Sequence, residues 1–378
     1  MPKQLPESVE RTIQTPLGIV KGLKDTFKTM LEGSVTVQYP HEKEAVAPRA
    51  RGVIALLGAG TFVYVYLFKM VSHLQSRLGP METGPHGSLQ LMAEVVKFIQ
   101  KEDVFPNRAD RWVFGAAPFV VIMSTLLIYV VIPIGPRAVV SNLDTGIVYA
   151  LAVSSISVIG VLMAAWASAN KYSLIGGLRA AGQLIAYELP LVLAVVGVVM
   201  MAGSLNLQTI VRSQGRFELF GVKGLGMFVI PQIIGFFIFM VAAQAELTQT
   251  PFDMPVAESE LVAGYMTEYT GMRFLVFFIG EFATAVALAA LASVLFLGGW
   301  WFPGMGAHWG HNAWLREPIG FAVMFAKVML LGFLIFWVRF TLPRFREDQL
   351  QAFAWKFLIP LALLNILVTG IAKVAVHA

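Results

Sequence analysis

The sequence predicts an all-α, polytopic membrane protein with about eight transmembrane helices and an in-plane amphipathic helix after the first of them. Composition is the first reason, since 57% of the 378 residues are hydrophobic and only 13% are charged, unlike a soluble domain. Length is the second, because apolar runs of the roughly 20 residues needed to cross a bilayer recur about eight times. The ten-residue alternating segments of a barrel do not occur, which leaves a helical bundle.

The apolar runs are separated by polar connections. They cover 52–71, 112–134, 147–169, 184–204, 227–248, 274–299, 318–340 and 355–375. The connection after the first run begins with several Gly and Pro residues, which break any helix there. Leu89, Met92, Val96 and Ile99 then recur at helical spacing with charged residues off that face, which predicts an in-plane helix over 88–101.

The stretch before the first apolar run is polar and basic. It contains no apolar core, so we expect no cleavable signal peptide there. Within 13–35, Ile19, Leu23, Phe27 and Met30 lie at helical spacing with lysines between them. This pattern fits a helix on the bilayer surface and, equally, a surface helix docked on a partner.

Basic residues set the expected orientation, because loops rich in Lys and Arg stay on the cytoplasmic side of a membrane. The connections that carry most of them are 72–111, 170–183, 249–273 and 341–356. We expect these four connections to share the cytoplasmic side. The basic N-terminal stretch conflicts with this rule. With an even total of eight crossings, it lies on the side of the membrane opposite to these four connections.

The sequence contains no cysteine, which excludes disulfides and cysteine-held metal clusters, so any redox centre would belong to a partner. His308 and His311 form a close pair that fits a metal site or an aromatic interfacial loop, and we expect the loop and no metal. The pI near 9.3 and net charge of +5 indicate basic residues beside the membrane and no nucleic-acid binding.

Carboxylates concentrate around the connection 249–273. The acids in and near it, including some within apolar runs, are Glu188, Glu246, Asp253, Glu258, Glu260, Glu268 and Glu281. A charged side chain at the centre of a membrane helix costs roughly 2.5–3.5 kcal/mol, so such acids are functional candidates. Because clustered carboxylates in a dry site exchange protons near neutral pH, the pattern favours a proton path.

Several of these acids have a structural alternative. Asp253, followed by a proline two residues later, has the pattern of a helix N-cap, with Glu258 near the positive end of that helix. Glu258 and Glu260 are two residues apart and therefore face different sides of a helix, which does not form a metal clamp. Glu188 could instead satisfy the backbone groups that Pro190 frees.

Four long motifs resemble one known family. They read HLQSRLGP…GPHGSLQLMAEVVKFIQKEDVFP, ASANKYSLIGGLRAAGQLIAYELPLVLAVVGVVM, AQAELTQTPFDMPVAESELVAGYMTEYTGMRF and WVRFTLPRFREDQLQAFAWKFLIPLAL. In this order, over about 52–375, they are similar to the NADH dehydrogenase subunit 1 family, the H-type membrane subunits of proton-pumping NADH:quinone oxidoreductase (respiratory complex I).

The resemblance implies an eight-helix, non-redox subunit of an enzyme complex in a bacterial-type inner membrane. Quinone would be the substrate, while NADH, FMN and iron–sulfur clusters would lie in partner subunits. The implied quinone-site residues are Lys69, Arg77, Phe98 and Phe252. The implied proton path contains Glu188, Glu246, Asp253, Glu258, Glu260, Glu268 and Glu281. The implied partners are the peripheral-arm quinone-module subunits, neighbouring membrane subunits and lipids.

The chain departs from the family pattern at two acids. Residues 67–69 read Leu-Phe-Lys where the family usually reads Glu-Arg-Lys, and Val256 replaces a glutamate of the acidic loop. Because Val256 is the third residue after Asp253, the lost glutamate would have closed a capping box. Glu94 keeps the charge of the usual aspartate. These differences concern proton coupling more than the quinone site.

Residues 35–52 are similar to the segment that precedes the ferredoxin-like domain in the membrane-skimming I-type subunit of the same complex, without its cluster-binding cysteines. We therefore expect two parts: an N-terminal arm over 1–51 and an eight-helix membrane domain over 52–378.

Three other functions stay open from the sequence. The related membrane subunit of an energy-converting hydrogenase would accompany neighbouring genes that encode nickel-binding cysteines. A secondary transporter would have two related halves with matching broken helices, which the sequence lacks. A purely structural subunit would result if the substitutions at Leu67 and Val256 disable the acid path.

Overall fold

The computed structural model describes residues 66–216, 218–219, 222–223, 226–302 and 313–377. The expected N-terminal arm, most of the first apolar run and the pair His308 and His311 lie outside the described residues. The described residues form two compact units, one within Met1–Glu102 and Phe333–Pro343, and the other within Asp103–Gly332 and Arg344–Ala378.

The regular structure of the described residues is helical apart from one two-residue hairpin, in which Glu218 of β1 pairs with Lys223 of β2. The elements are α1 (Gln90–Gln100), α2 (Arg111–Tyr129), α3 (Gly146–Ala167), α4 (Lys171–Ala202), α5 (Leu207–Arg216), β1 (Glu218–Leu219), β2 (Val222–Lys223), α6 (Ile233–Glu246), α7 (Glu258–Leu261), α8 (Gly271–Phe296), α9 (Ala313–Thr341), α10 (Glu347–Phe353) and α11 (Ile359–His377). A π-helical turn, Ala354–Leu358, makes α10 and α11 continuous, and 3₁₀ turns occur at Pro85–Gly87 and Gly264–Met266.

Within the described ranges, six stretches are long and apolar enough to cross a membrane: α2, α3, α4, α8, α9 and the continuous α10–α11. The shorter apolar helix α6 occupies the predicted fifth run. The prediction of an all-α, polytopic membrane protein is confirmed. The first of the eight expected spans falls mostly outside the described residues, where only 66–74 are helical.

Side-chain caps fix where several helices begin and end. The Asp110 carboxylate accepts hydrogen bonds from two backbone N–H groups in the first turn of α2. Asn170 caps the start of α4 through one such bond, and α4 ends at Gly203 in the left-handed conformation with φ 68°. Asn206 caps α5, a helix that the sequence did not predict because it lies between two apolar runs.

The first unit contains the predicted amphipathic helix. It was expected over 88–101 and is observed as α1, Gln90–Gln100. None of its residues is buried, and the side chains of Val96 and Ile99 are 52% and 61% exposed. An open apolar face of this kind is typical of a helix that lies in a membrane surface or against a partner.

The second unit is a bundle in which small residues allow close approach of the helices. A Cβ added at Gly177 of α4 would lie 2.1 Å from the Cβ of Ala165 on α3, so these helices touch through their smallest side chains. Deeper in the bundle, Gln232 bonds Thr369 at 2.6 Å and accepts from Asn365 at 2.8 Å. These two bonds join the start of α6 to α11, as polar groups do between membrane helices.

Candidate functional site

The acidic connection between α6 and α8 lies directly on the first half of α4. A Cβ added at Gly176 would stand 2.7 Å from the Cα of Gly264 and 2.9 Å from the carbonyl oxygen of Pro255. Gly264 has φ +55°, and its own added Cβ would be only 1.8 Å from the same carbonyl oxygen. The connection therefore folds back on itself and packs against α4 through main-chain atoms.

Aromatic packing holds the far end of this connection. The ring of Tyr269 stacks on Phe114 of α2 with centroids 4.0 Å apart, and its hydroxyl donates to the Phe114 carbonyl at 3.1 Å. Arg273, at the start of α8, lies over the ring of Phe105 at 3.7 Å and bonds Asp103 at 2.9 Å. These contacts fix the position of the acids on either side of them.

Gln183 of α4 holds the near end of the connection. Its amide nitrogen donates to the carbonyl of Ala245 at 2.7 Å and to that of Phe252 at 2.8 Å. The ring of Phe252 is 3% exposed and packs against Tyr187 and Phe345, at centroid distances of 5.2 and 5.5 Å. Phe252, a predicted quinone-site residue, is thus buried in aromatic packing of this unit.

Two of the predicted path acids come together inside the second unit. The carboxylate of Glu188, on α4, accepts from the hydroxyl of Ser155 on α3. Ser154, the neighbouring residue, donates its hydroxyl to the Leu151 carbonyl at 2.8 Å. Both Ser154 and the charge of Glu188 act on Glu246 at the end of α6. Carboxyl groups from two different helices therefore act on each other inside the bundle.

The observed contact of Glu188 differs from its structural alternative. The sequence suggested that its side chain could bond to backbone groups freed by Pro190, but its described hydrogen bond is to Ser155. Helix α4 continues through Pro190 to Ala202. The carboxylate therefore joins two helices.

Glu281 lies in a second polar contact region. Its carboxylate, on α8, accepts from the amide nitrogen of Gln249, a buried residue of the acidic connection. Burial raises the pKa of the nearby Tyr265 phenol, and the Glu281 charge raises it further. Tyr265 therefore keeps its proton at neutral pH, and the region combines a carboxylate with neutral hydrogen-bonding groups.

Glu268 is bound to the start of α4. Its carboxylate accepts from the side-chain nitrogen of Asn170, whose oxygen caps the helix by accepting from the N–H of Tyr172 at 2.8 Å. One asparagine thus fixes both the helix terminus and the acid. This geometry gives Glu268 a positioning contact in addition to its predicted place in the path.

Glu260 lies at the surface between two arginines. Its carboxylate is 2.6 Å from the Arg179 guanidinium and 3.4 Å from that of Arg344. The hydrogen bond from Arg179 and the charge of Arg344 hold the pKa of Glu260 below its usual value. The group borders an open cavity of about 680 Å³ that is also lined by Glu347 and Asp348.

The predicted helix cap at Asp253 is wrong. The helix of the connection, α7, begins at Glu258 and follows Ala257 as its N-cap residue, so Asp253 precedes it by five positions. The capping box proposed for Val256 is consequently also wrong. Glu258 does stand at the first position of α7, as the alternative for that residue expected, and Asp253 is half-buried.

The remaining predicted quinone-site residues belong to the first unit. Arg77 borders an open cavity of about 530 Å³, and its guanidinium bonds the side chain of Gln75 at 2.8 Å. The ammonium of Lys69 is 3.7 Å from the sulfur of Met81, which lines the same cavity. Phe98 lies on α1 between Lys97 and Lys101, whose ammonium groups are 5.6 and 6.0 Å from its ring.

Partners of the acids were missed from the sequence. They are the polar, uncharged residues Ser154, Ser155, Asn170 and Gln249. The signal that could have found the serines was their occurrence as a pair in an otherwise apolar helix. Anywhere in the described ranges, no three His, Asp or Glu side chains come together as a metal site.

The fold and these side chains together define a class. This is a multi-pass helical membrane protein in which ionisable groups from several helices lie inside the bundle.

Comparison with known proteins places the chain within that class. The profile of a family described as NADH dehydrogenase matches residues 50–370. The H-type subunit of the NADH-quinone oxidoreductase of Dehalococcoides mccartyi (strain CBDB1) is 42% identical over 309 residues, which cover 82% of this chain and 81% of that protein. The protein of the same name from Brevibacillus brevis is 43% identical, with 84% and 89% covered. The H-type subunit numbered 2 of the NADH-quinone oxidoreductase of Syntrophobacter fumaroxidans is 45% identical, with 80% and 87% covered.

The chain belongs to the NADH dehydrogenase family. The resemblance inferred from its four motifs is confirmed.

Proposed function

We propose that this chain is a membrane subunit of a proton-pumping NADH:quinone oxidoreductase, in which it walls the quinone chamber and couples quinone reduction to proton translocation. The names of its relatives support membership of that complex. The acids inside its bundle support the coupling role, because a scaffold would not require carboxylates at such cost in a membrane.

The charge interaction between Glu188 and Glu246 is the observation on which the proposal rests. The two acids come from different helices, α4 and α6, and both interact with the serine pair of α3, Glu188 through a hydrogen bond from Ser155 and Glu246 with Ser154 beside it. A single carboxylate beside a serine would suit a helix contact. Two interacting carboxyl groups form a site that can hold one proton and pass it on, as proton relays in membrane proteins do.

The path continues to the acidic connection through Glu281. Gln249 belongs to the connection and bonds Glu281 on α8, so the two are in direct contact. Asp253, Glu258 and Glu268 lie along the connection and complete the path on the loop side. Glu260 is held by two arginines, and we assign it the role of an ion-paired anchor at the edge of the path.

Quinone would be reduced beside this chain by electrons from partner subunits that carry FMN and iron–sulfur clusters. The Arg77 cavity, with Lys69 next to it and Phe98 on the amphipathic helix, is our candidate for the quinone entrance. Phe252, which is buried in the second unit, is the remaining candidate quinone-site residue. The assembly would include peripheral-arm and neighbouring membrane subunits, in the inner membrane of a bacterial-type cell.

Substitution of Glu246 tests the proposal. We expect Glu246→Gln in the assembled complex to lower proton uptake per quinone reduced at least tenfold, because proton transfer by a positioned group contributes about 10²–10⁴ to a rate. Quinone reduction and proton uptake are measured separately in vesicles. Glu347→Gln is the matched control, since this carboxylate is exposed and contacts Arg179 at 3.6 Å outside the bundle. Unchanged values for both measurements in Glu246→Gln would show an inert scaffold.

A further inference from the structure

Gln183 has a fixed side-chain orientation. The residue is 1% exposed, and its amide nitrogen donates to two carbonyl oxygens, those of Ala245 and Phe252. The two flips of a side-chain amide, which exchange its nitrogen and oxygen, are often hard to distinguish. Here the other flip would place the amide oxygen beside two carbonyl oxygens, with no donor between them. The oxygen Oε1 must therefore point away from both carbonyls.

Three other buried glutamines have side-chain amides in which both the nitrogen and the oxygen are hydrogen-bonded. The amide nitrogens of Gln208 and Gln214 also donate to pairs of carbonyl oxygens, while that of Gln232 donates to Thr369. In each, the oxygen also has a partner: the Arg212 guanidinium for Gln208, the Phe228 N–H for Gln214, and the Asn365 amide for Gln232.

The oxygen of Gln183 is different. It is fully enclosed, yet no donor among the described residues lies within hydrogen-bonding distance of it. A buried polar atom without a partner costs free energy, so native proteins supply a partner from the chain or from ordered water. The neighbouring hydroxyl of Tyr187 donates instead to the carbonyl of Leu350 at 2.9 Å.

We propose that Gln183 Oε1 binds one ordered water molecule at the junction of α4, the end of α6 and the acidic connection. The ligand is a hydrogen-bond donor of small size, because the oxygen that it must reach is fully enclosed. A metal cation would need several oxygen ligands, and the two nearest carbonyl oxygens are already engaged by the amide nitrogen.

The position of this water gives it a role that rests on the proposed proton path. Ala245, which Gln183 contacts, is the residue before Glu246, and Phe252 is the residue before Asp253. A water on the Gln183 oxygen lies beside this pair of contacts, on the side away from the two carbonyls, and donates one O–H to Oε1 as a hydrogen bond. Its oxygen can accept a proton from the loop side while its second O–H proton passes towards Glu246, so that protons balance.

A map of the assembled wild-type complex, at a resolution that shows ordered water, tests the binding site without any variant. We expect a water peak at a hydrogen-bond distance of about 2.6–3.2 Å from Gln183 Oε1. The proposal would be overturned if the map showed no water at Gln183 Oε1, or showed a protein, lipid or quinone donor bonded to this oxygen instead.

Substitution tests the role of the water. We expect Gln183→Met, which keeps the length of the side chain and removes the amide, to lower proton uptake per quinone reduced about tenfold. Gln214→Met is the matched control, because it removes an equally buried amide whose oxygen bonds the chain. The control should lower the yield of assembled complex to a similar degree without changing the proton uptake per quinone reduced. Equal values of this ratio in both variants would contradict the role of the water in proton transfer.

The two measurements separate this inference from the proposed function. A water at Gln183 together with unaltered coupling in Glu246→Gln would retain the site and reject the proton path. A dry Gln183 oxygen together with impaired coupling in Glu246→Gln would reject the water and retain the path.

Discussion

Two guanidinium groups flank Glu260, one from α4 and one from the segment before α10. The carboxylate is 49% exposed, so solvent screens both contacts and each stabilises the fold only slightly. Glu246 has the opposite surroundings, with a serine and a second carboxylate as neighbours. Acids close together in the sequence therefore have different surroundings, an ion-paired one at the surface for Glu260 and one without a cation among the described neighbours for Glu246.

The ion pairs of Glu260 predict a pH dependence. Since the folded chain lowers the pKa of this group from its usual value of 4.5, the pairs stabilise the fold above that value and lose their contribution as the pH falls through the lowered pKa. We expect Glu260→Gln to be slightly less stable than wild type at pH 7, with the difference disappearing in acid. Thermal unfolding of the purified complex across pH measures this.

The control for this prediction is Asp348→Asn, which removes an exposed contact with Arg346 at 3.2 Å. It should leave the attachment of the acidic connection to α4 unchanged. A stability difference for Glu260→Gln that grows towards acid pH would contradict the assigned role.

At single residues, the type of side chain was easier to predict than its partner. Glu188 and Glu246 were identified as candidates because carboxylates are rare in apolar helices. Their pairing was not predictable, because it depends on how α3, α4 and α6 pack. Asp253 was misread as a cap because the local pattern fits, whereas the backbone continues without a helix until Glu258.

Helix α4 is the element that organises the site. It contributes a glycine surface for the acidic connection, an amide that holds the connection's near end, an arginine at the surface and a carboxylate in the bundle. These groups lie along its length from Gly176 to Glu188. A shift of this helix would therefore move the loop acids together with Glu188.

The glycine surface of α4 supplies a prediction at this scale. We expect Gly176→Ala to destabilise the packed connection by about 1–3 kcal/mol, because the added methyl group would overlap main-chain atoms of Gly264 and Pro255. Limited proteolysis in membranes should then cut within 249–270 faster than in wild type.

Gly115→Ala is the control, since a Cβ at this helical glycine of α2 meets nothing within 4 Å. We expect it to leave the cleavage rate unchanged. Equal cleavage of Gly176→Ala and wild type would show that the connection does not depend on this contact.

Helices with long apolar sequences were predicted from the sequence, whereas helices with polar sequences were missed or predicted with a late start. The apolar runs at 112–134 and 274–299 correspond to α2 and α8 because twenty apolar residues leave few alternatives to a membrane helix. Helix α5 escaped prediction because its polar and apolar residues alternate within ten positions. The start of α4 was predicted late, at 184 rather than Lys171, since its first half is small and polar where the connection packs on it.

At the scale of the second unit, polar contacts collect at its two ends. One end joins Asn170 to Glu268 and Arg179 to Glu260, and the other joins Asn206 to Asn142. Of the basic connections that were expected to share one side of the membrane, those of this unit do meet at the first end. Their assignment to the cytoplasm stays a prediction.

The absence of cysteine from the sequence makes that assignment testable with single substitutions. We expect a membrane-impermeant maleimide to label Asp348→Cys only from the cytoplasmic side and Asp144→Cys only from the opposite side, because both positions are exposed at opposite ends of the unit. Labelling is compared between inside-out and right-side-out vesicles. Labelling of both positions from one side would refute the topology, and exchange of the two sides would reverse the orientation.

The contact between Gly176 and the acidic connection has a genetic consequence. It joins main chain to main chain, so neither surface has a side chain that could be shortened to accommodate a larger neighbour. A second-site suppressor of Gly176→Ala therefore cannot arise by exchange of the touching residues. Such a suppressor would have to change the backbone conformation between Pro255 and Gly264.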